Sequence, residues 1–321
     1  MTTYKEIHGT NIEVLSSDPS NPLVGQIWYN TTSNSLKSFA ILASSWSTGG
    51  NLATARNSLG GAGTQTSALA FGGETPPFSA ATESYNGTSW TTGGSLINAR
   101  RGISGAGASN TSAVAFGGQL GPLYTAQNLT EKYNGSWTAS GTLNTARMYL
   151  GGCGTQTLAL AFGGDADPPN ALTSSESFNG STWTNTPSLS NGRNGLGGAG
   201  TQTSALAFGG TGPAGTESYN GSSWTSGGAL NIERSKLGGS GASNTSALAF
   251  GGTPSIGSAS TEEYNGTSWT VGSNLGAARY DIAGCGTQAA TLAFGGRPPG
   301  SGSNATEEYG GAGPAVVTIS N

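Results

Sequence analysis

The chain spells nearly the same sentence six times, and each copy closes a short apolar run with Phe-Gly-Gly, at Phe71, Phe116, Phe162, Phe208, Phe250 and Phe294. Successive copies lie 45, 46, 46, 42 and 44 residues apart, the span of one four-stranded blade in a radial array and too long for one hairpin. The first full copy runs Arg56, Leu59-Gly-Gly-Ala-Gly, Thr64-Gln-Thr-Ser-Ala-Leu-Ala-Phe-Gly-Gly73, a variable stretch, Thr82-Glu-Ser-Tyr-Asn-Gly87 and Trp90. Short alternating segments broken by glycine every eight to twelve residues read as antiparallel strands, and no segment has the three-to-four-residue apolar spacing of a helix. An all-β chain follows.

Within a copy, Ala-Leu-Ala-Phe is the second strand. Its small residues let two twisted sheets approach, while Leu69 and Phe71 share one face by the period of two and fill the gap. Asn86-Gly87, Asn134-Gly135, Asn179-Gly180, Asn220-Gly221 and Asn265-Gly266 favour left-handed torsions in a tight hairpin, and a tryptophan follows each: Trp90, Trp137, Trp183, Trp224 and Trp269. The Gly-x-Gly groups lack a following helix or Lys-Ser/Thr, so they are steric permission and not a phosphate loop.

One arginine opens each copy, at Arg56, Arg100, Arg147, Arg193, Arg234 and Arg279. One glutamate stands in each third strand, at Glu83, Glu131, Glu176, Glu217, Glu262 and Glu307. Half of the 12 basic residues occupy this single position, and a partly buried arginine needs a fixed acceptor, which a bidentate carboxylate supplies. These twelve residues are expected to form structural ion pairs.

The last copy reaches Glu307-Glu308-Tyr309 and then breaks, with no tryptophan after it. The missing one stands at the other end of the chain, where Trp46-Ser-Thr-Gly-Gly-Asn-Leu-Ala-Thr-Ala-Arg56 repeats the sense of Trp90-Thr-Thr-Gly-Gly-Ser-Leu-Ile-Asn-Ala-Arg100. An N-terminal strand that completes the sixth blade removes both exposed edges. Ala315-Val-Val-Thr-Ile-Ser320 competes for the same edge, and Gly25-Gln-Ile-Trp-Tyr-Asn30 with Leu36-Lys-Ser-Phe39 suggests a further hairpin. Copies one to three match copies four to six in order, as in a doubled three-blade unit. The expected organisation is an extended arm over 1–20, a hairpin or anchor over 21–45, and six four-stranded blades over 46–321.

Charged residues are only 9% of the chain, against about 25% in ordinary globular proteins. A net charge of -4 and no basic run give no footprint for nucleic acid. No apolar stretch spans a bilayer, and Met1-Thr-Thr-Tyr-Lys-Glu lacks the order of a secretory signal, so cytoplasmic synthesis is expected. Cys153 and Cys285 each take the place of a small residue in a repeated Gly-x-Gly, occupied by Ala62, Ala106 and Ala199 in other copies, with Ala242 nearby in the fifth. They read as buried thiols and not as a disulfide.

Only the stretch after each Phe-Gly-Gly is free to differ between copies. Such loops emerge together on one face of a rigid support, and Phe78, Leu120, Leu123, Tyr124 and Arg297 are candidate ligand contacts there. His8 is the only histidine, which excludes a histidine triad and a multi-histidine metal centre. Asp165 and Asp167 fall short of a calcium shell. No cofactor, metal or catalytic residue is expected, and the chain reads as non-enzymatic.

The order of arginine, Gly-Gly after an apolar strand, Glu-x-Tyr-Asn and tryptophan resembles the kelch repeat over nearly all of residues 46–309. The resemblance implies a six-bladed kelch-like β-propeller that binds protein or carbohydrate. Copper oxidases of that class use histidines this chain lacks. Gly25-Gln-Ile-Trp-Tyr-Asn-Thr-Thr-Ser-Asn-Ser-Leu-Lys is similar to short motifs in tail-fibre and other virion proteins of tailed bacteriophages, and the regular Gly/Ser/Thr/Asn repeat resembles proteins of marine phages. That implies a virion structural protein, held to other virion proteins by its N-terminal segment and presenting its loop face to a host-surface glycan or protein. A purely architectural virion protein and a kelch-like scaffold or polysaccharide-acting enzyme are the alternatives.

Overall fold

In a computed structural model of the chain, residues 12–121, 124–166, 170–212, 215–253 and 257–319 are described. Every regular element among them is a β-strand. The chain divides into two units, Ser45–Gly310 and a smaller one made of Met1–Ser44 with Gly311–Asn321.

The larger unit is a tandem array of four-stranded antiparallel sheets, one per repeat, with a propeller-like architecture. The inner strands are Gly60–Thr64, Ser104–Ser109, Gly151–Gly154, Gly197–Thr201, Gly238–Ser243 and Ala283–Gly286. In the sixth sheet the outer strand is Ser45–Thr48, which pairs with Thr306–Gly310 so that Trp46 stands opposite Tyr309. Each neighbouring pair of sheets shares one apolar cluster. Leu69 and Phe71 of the first sheet meet Ala113 and Ala115 of the second, while Ala68 and Ala70 on the opposite face receive Leu292 and Phe294 of the sixth. Large-on-small packing of this kind fills the space between sheets without forcing rotamers.

The tryptophans fasten each sheet to the one before it. Six phenylalanine–tryptophan pairs cross the interfaces with ring centroids 4.9–5.4 Å apart, within the range of favourable edge-to-face contact. Trp46, Trp90, Trp137, Trp183 and Trp269 also donate Nε1–H to a threonine hydroxyl of the neighbouring sheet at 2.9–3.0 Å. Trp224 is the exception: Ser175 replaces threonine, and both Trp224 Nε1 and Ser175 Oγ are buried without a partner. Amide side chains add a second clasp. Gln65 donates to Thr291 O and Tyr309 O, and Gln156, Gln202 and Gln288 repeat this. Asn110 and Asn244, the shorter variants in copies two and five, each reach one carbonyl, Tyr85 O and Tyr219 O.

The expected fold, a six-bladed kelch-like propeller of four-stranded blades with only a short arm, does not stand. The described residues form eight sheets, seven of four strands and one of two, and none of these closes on itself. The extra four-stranded sheet is the small unit, where Ser35–Leu42 pairs with both Ile27–Asn30 and Gly313–Thr318. The C-terminal segment has no place in the sixth repeat sheet because Ser45–Thr48 already occupies that edge. Gln119–Leu120 and Thr125–Ala126 make the two-stranded ribbon, within the second variable stretch.

Of the arm expected over 1–20, residues 1–11 lie outside the described residues, and the rest runs into the small unit. Glu13–Leu15 is a strand parallel to Ile27–Asn30, and Asp18 accepts hydrogen bonds from Trp28 Nε1 at 3.0 Å, Asn30 Nδ2 at 2.7 Å and Lys37 Nζ at 3.0 Å. Those bonds, Asn30 first, then Trp28 and Lys37, hold the Asp18 carboxyl below its ordinary range. Trp28 is fully buried. No helix among the described residues is long and apolar enough to cross a membrane.

Candidate functional site

The twelve repeated charges build the scaffold. Arg56 Nη2 donates to Glu83 Oε1 at 2.8 Å, its Nη1 donates to Gly72 O and Ala81 O, and Glu83 Oε2 accepts the Ala53 N–H at 2.7 Å. The same pairing recurs as Arg100–Glu131, Arg147–Glu176, Arg193–Glu217, Arg234–Glu262 and Arg279–Glu307. The carboxylate is not gripped bidentately, as expected from sequence. It bridges the guanidinium to a backbone N–H three residues earlier and so fastens the connection entering each sheet to that sheet's third strand. Burial, opposed by the paired glutamate, holds each of these arginines below the usual guanidinium value.

Two residues beyond each arginine, the chain turns at the axis of the repeat unit. Ser58, Gly102, Tyr149, Gly195, Lys236 and Asp281 all adopt left-handed φ, from 50 to 62°. Their backbones form a closed cycle of hydrogen bonds. Ser58 N–H donates to Asp281 O, Gly102 to Ser58, Tyr149 to Gly102, Gly195 to Tyr149, Lys236 to Gly195 and Asp281 to Lys236, at 2.6–2.8 Å. Behind this annulus the inner strands approach so closely that a Cβ at Gly239 would lie 2.7 Å from Phe208 and 2.9 Å from Gly198 O.

The annulus and the variable stretches share one face. The residue between each arginine and its annulus position pairs through the backbone with the first residue after Phe-Gly-Gly: Asn57 with Glu74, Arg101 with Gln119, Met148 with Asp165, Ser235 with Thr253 and Tyr280 with Arg297. In the fourth copy Thr211 N–H donates to Asn194 O. Side chains from different copies meet on this face. Arg101 donates to Glu74 Oε2 at 2.7 Å and to Gln119 Oε1 at 2.9 Å. Its guanidinium lies 4.9 Å from the Phe78 ring centroid and 5.4 Å from that of Tyr124, and the two rings stand edge to face at 5.6 Å.

At the annulus, the Tyr149 ring lies over Gly102, where a Cβ would sit 3.1 Å from it. Burial holds the Tyr149 phenol above its ordinary value, while nearby Arg101 opposes the shift. The Lys236 ammonium is 3.9 Å from Asp281 Oδ2 and within 6 Å of the Tyr149 and Tyr280 rings, at 5.9 and 5.7 Å. Burial raises the Asp281 carboxyl above its ordinary range, with Lys236 and then Arg101 opposing.

Among the sequence candidates, Phe78 and Tyr124 come together, Leu120 sits half-buried in the two-stranded ribbon, and Arg297 lies beside Tyr280. Leu123, His8 and Asp167 lie outside the described residues. Arg101, Glu74, Tyr149, Lys236 and Asp281 were not anticipated. For all but Glu74, which opens the first variable stretch, their signal is the pair of positions after each repeat arginine, where the copies also differ. Cys153 and Cys285 are buried and unbonded to each other, with burial pushing both thiols up. In the fifth copy Ser240, not Ala242, takes the equivalent place opposite Leu248.

Among the described residues no cluster of three or more histidine, cysteine or acidic side chains could hold a metal. No protein-family model matches the chain, and no curated protein shows significant similarity to it.

Proposed function

We propose that this protein is a non-enzymatic binding component of a tailed-phage particle, made in the host cytoplasm and carried on a fibre or other appendage, whose variable face contacts a host-surface glycan. One observation carries the binding role. Six copies keep the same buried ion pairs and phenylalanine–tryptophan contacts, yet at the annulus and the adjoining loops they present Ser, Gly, Tyr, Lys and Asp on equivalent backbone. A scaffold held this constant has no packing reason to diversify there. Exposed Tyr124 with Phe78, Arg101 and Gln119 combines aromatic surface with fixed hydrogen-bonding groups, the chemistry that recognises sugars.

The virion assignment rests on the resemblance of Gly25–Lys37, which forms a hairpin gathered around Asp18. Exposed Val14, Leu23, Val24, Ile41, Leu42 and Val316 all belong to the small unit, and favour a second reading in which that unit docks the chain onto another virion protein. A glycan array probed with the full chain and with Tyr124→Ala tests the first reading: the wild type gives a signal that the variant lowers at least tenfold. Equal signals from both, or none from either, would overturn it.

A further inference from the structure

We infer that the annulus mouth is the subsite for the anionic group of an acidic sugar residue, held by Lys236 and Arg297 beside the rings of Tyr149 and Tyr280. This rests on the glycan-binding reading and adds a ligand class and a location to it. Four of the six annulus positions carry a side chain in a left-handed conformation that costs an L-residue about 1–2 kcal/mol, although Gly102 and Gly195 show that glycine closes the ring equally well. Backbone closure therefore does not account for the side chains at those four places.

Their charges are not equivalent once exposure is considered. Among the described residues the face carries three acids, Glu74, Asp165 and Asp281, and three bases, Arg101, Lys236 and Arg297. Glu74 is paired with Arg101 at 2.7 Å. Asp165 is buried and accepts from Asn194, and the Asp281 side chain is 9% exposed against 43% for Lys236. Among the described residues the Lys236 ammonium makes no hydrogen bond and Arg297 makes no ion pair, so of the described charges it is the bases that stay open to a ligand. Lys236 keeps all three N–H donors for an incoming anion, because its ion pair to the largely buried Asp281 is long, at 3.9 Å.

The space fits a group rather than a whole ligand. A cavity of about 80 Å³ opens inside the annulus above a floor of leucine and isoleucine side chains, room for a few waters or for one carboxylate. The sugar ring stays outside, where the tyrosine faces can cover its C–H surface.

Titration of the intact chain with methyl glucuronide, glucose 6-sulfate and methyl glucoside, followed by NMR, tests this. At least one of the two anionic probes should bind at least tenfold more tightly than the neutral one, and the stronger of the two identifies carboxylate or sulfate as the preferred group. Lys236→Met should erase the difference, Lys236→Arg should keep most of it, and added salt should shrink it. Equal binding of all three probes, no binding of either anion, or a preference that survives Lys236→Met would overturn the inference. Array binding that is lost in Tyr124→Ala, together with any of these, leaves glycan recognition standing without an anionic subsite. A blank array removes both.

Discussion

Arg147 and Tyr149 are two residues apart, and the six copies treat the two positions in opposite ways. The first position is arginine every time, fully or almost fully buried and bound to the same glutamate and the same carbonyls. The second has the same backbone six times and five different residue types. Where a side chain is enclosed by its own sheet, geometry leaves one solution; where it faces out from the axis, backbone closure is indifferent to it. Constancy here marks the load of the fold, and divergence marks the places where the fold imposes no side chain.

The largest expected effect breaks the constant position. Glu176 and Arg147 are both fully buried, so Glu176→Ala should leave a guanidinium without its counter-ion and destabilise the repeat unit by about 3–5 kcal/mol, read from the urea midpoint. A loss under 1 kcal/mol would show that the pair is not integral to the scaffold. At the variable position the sign should reverse. Lys236→Gly, which imitates Gly102 and Gly195, should stabilise the chain by about 1 kcal/mol by relieving the left-handed φ. A clear destabilisation would mean that Lys236 serves the fold.

The comparison sharpens at the one interface where the constant pattern lapses. Ser175→Thr should give the Trp224 indole its missing acceptor and raise stability by about 0.5–1 kcal/mol; an unchanged unfolding midpoint would show that the hydroxyl does not reach. The smallest effect belongs to the small unit. Because the folded Asp18 carboxyl titrates below its ordinary 3.8, its contribution is fully present above pH 3.8 and is lost as the pH falls through the lowered folded value. The Trp28 indole N–H signal should move in that acid window while the repeat tryptophans stay in place. Simultaneous shifts in all of them would contradict a local role for Asp18.

Much of the repeat was legible because it obeys short-range rules. The period, the strand order, the large-on-small faces of Ala-Leu-Ala-Phe and the one-to-one match of arginine and glutamate can all be read along the chain. The Asn-Gly turns were read with less success. Only the glycine is left-handed, and in four of the five turns the asparagine side chain instead accepts two backbone N–H groups, as Asn86 does from Thr88 and Ser89, while Asn134 accepts from the Gln156 amide. The candidate site was half visible. Phe78, Tyr124 and Arg297 lie in stretches that announce themselves by variation, whereas Arg101 and Lys236 stand next to invariant arginines and look like part of the repeat.

Sequence alone determined that this chain is all-β, that it repeats one sheet six times, and that Trp46 substitutes for the tryptophan missing after Tyr309. Periodicity, glycine placement and apolar alternation act over a few residues and leave their mark in order and spacing. Tertiary structure decided that the C-terminal strand joins Ser35–Leu42, that Asp18 organises the small sheet, and that Lys236, Asp281 and Tyr149 stand around one opening. Edge competition depends on which strand pairs more completely, and an annulus of positions more than forty residues apart exists only after the backbone cycle closes.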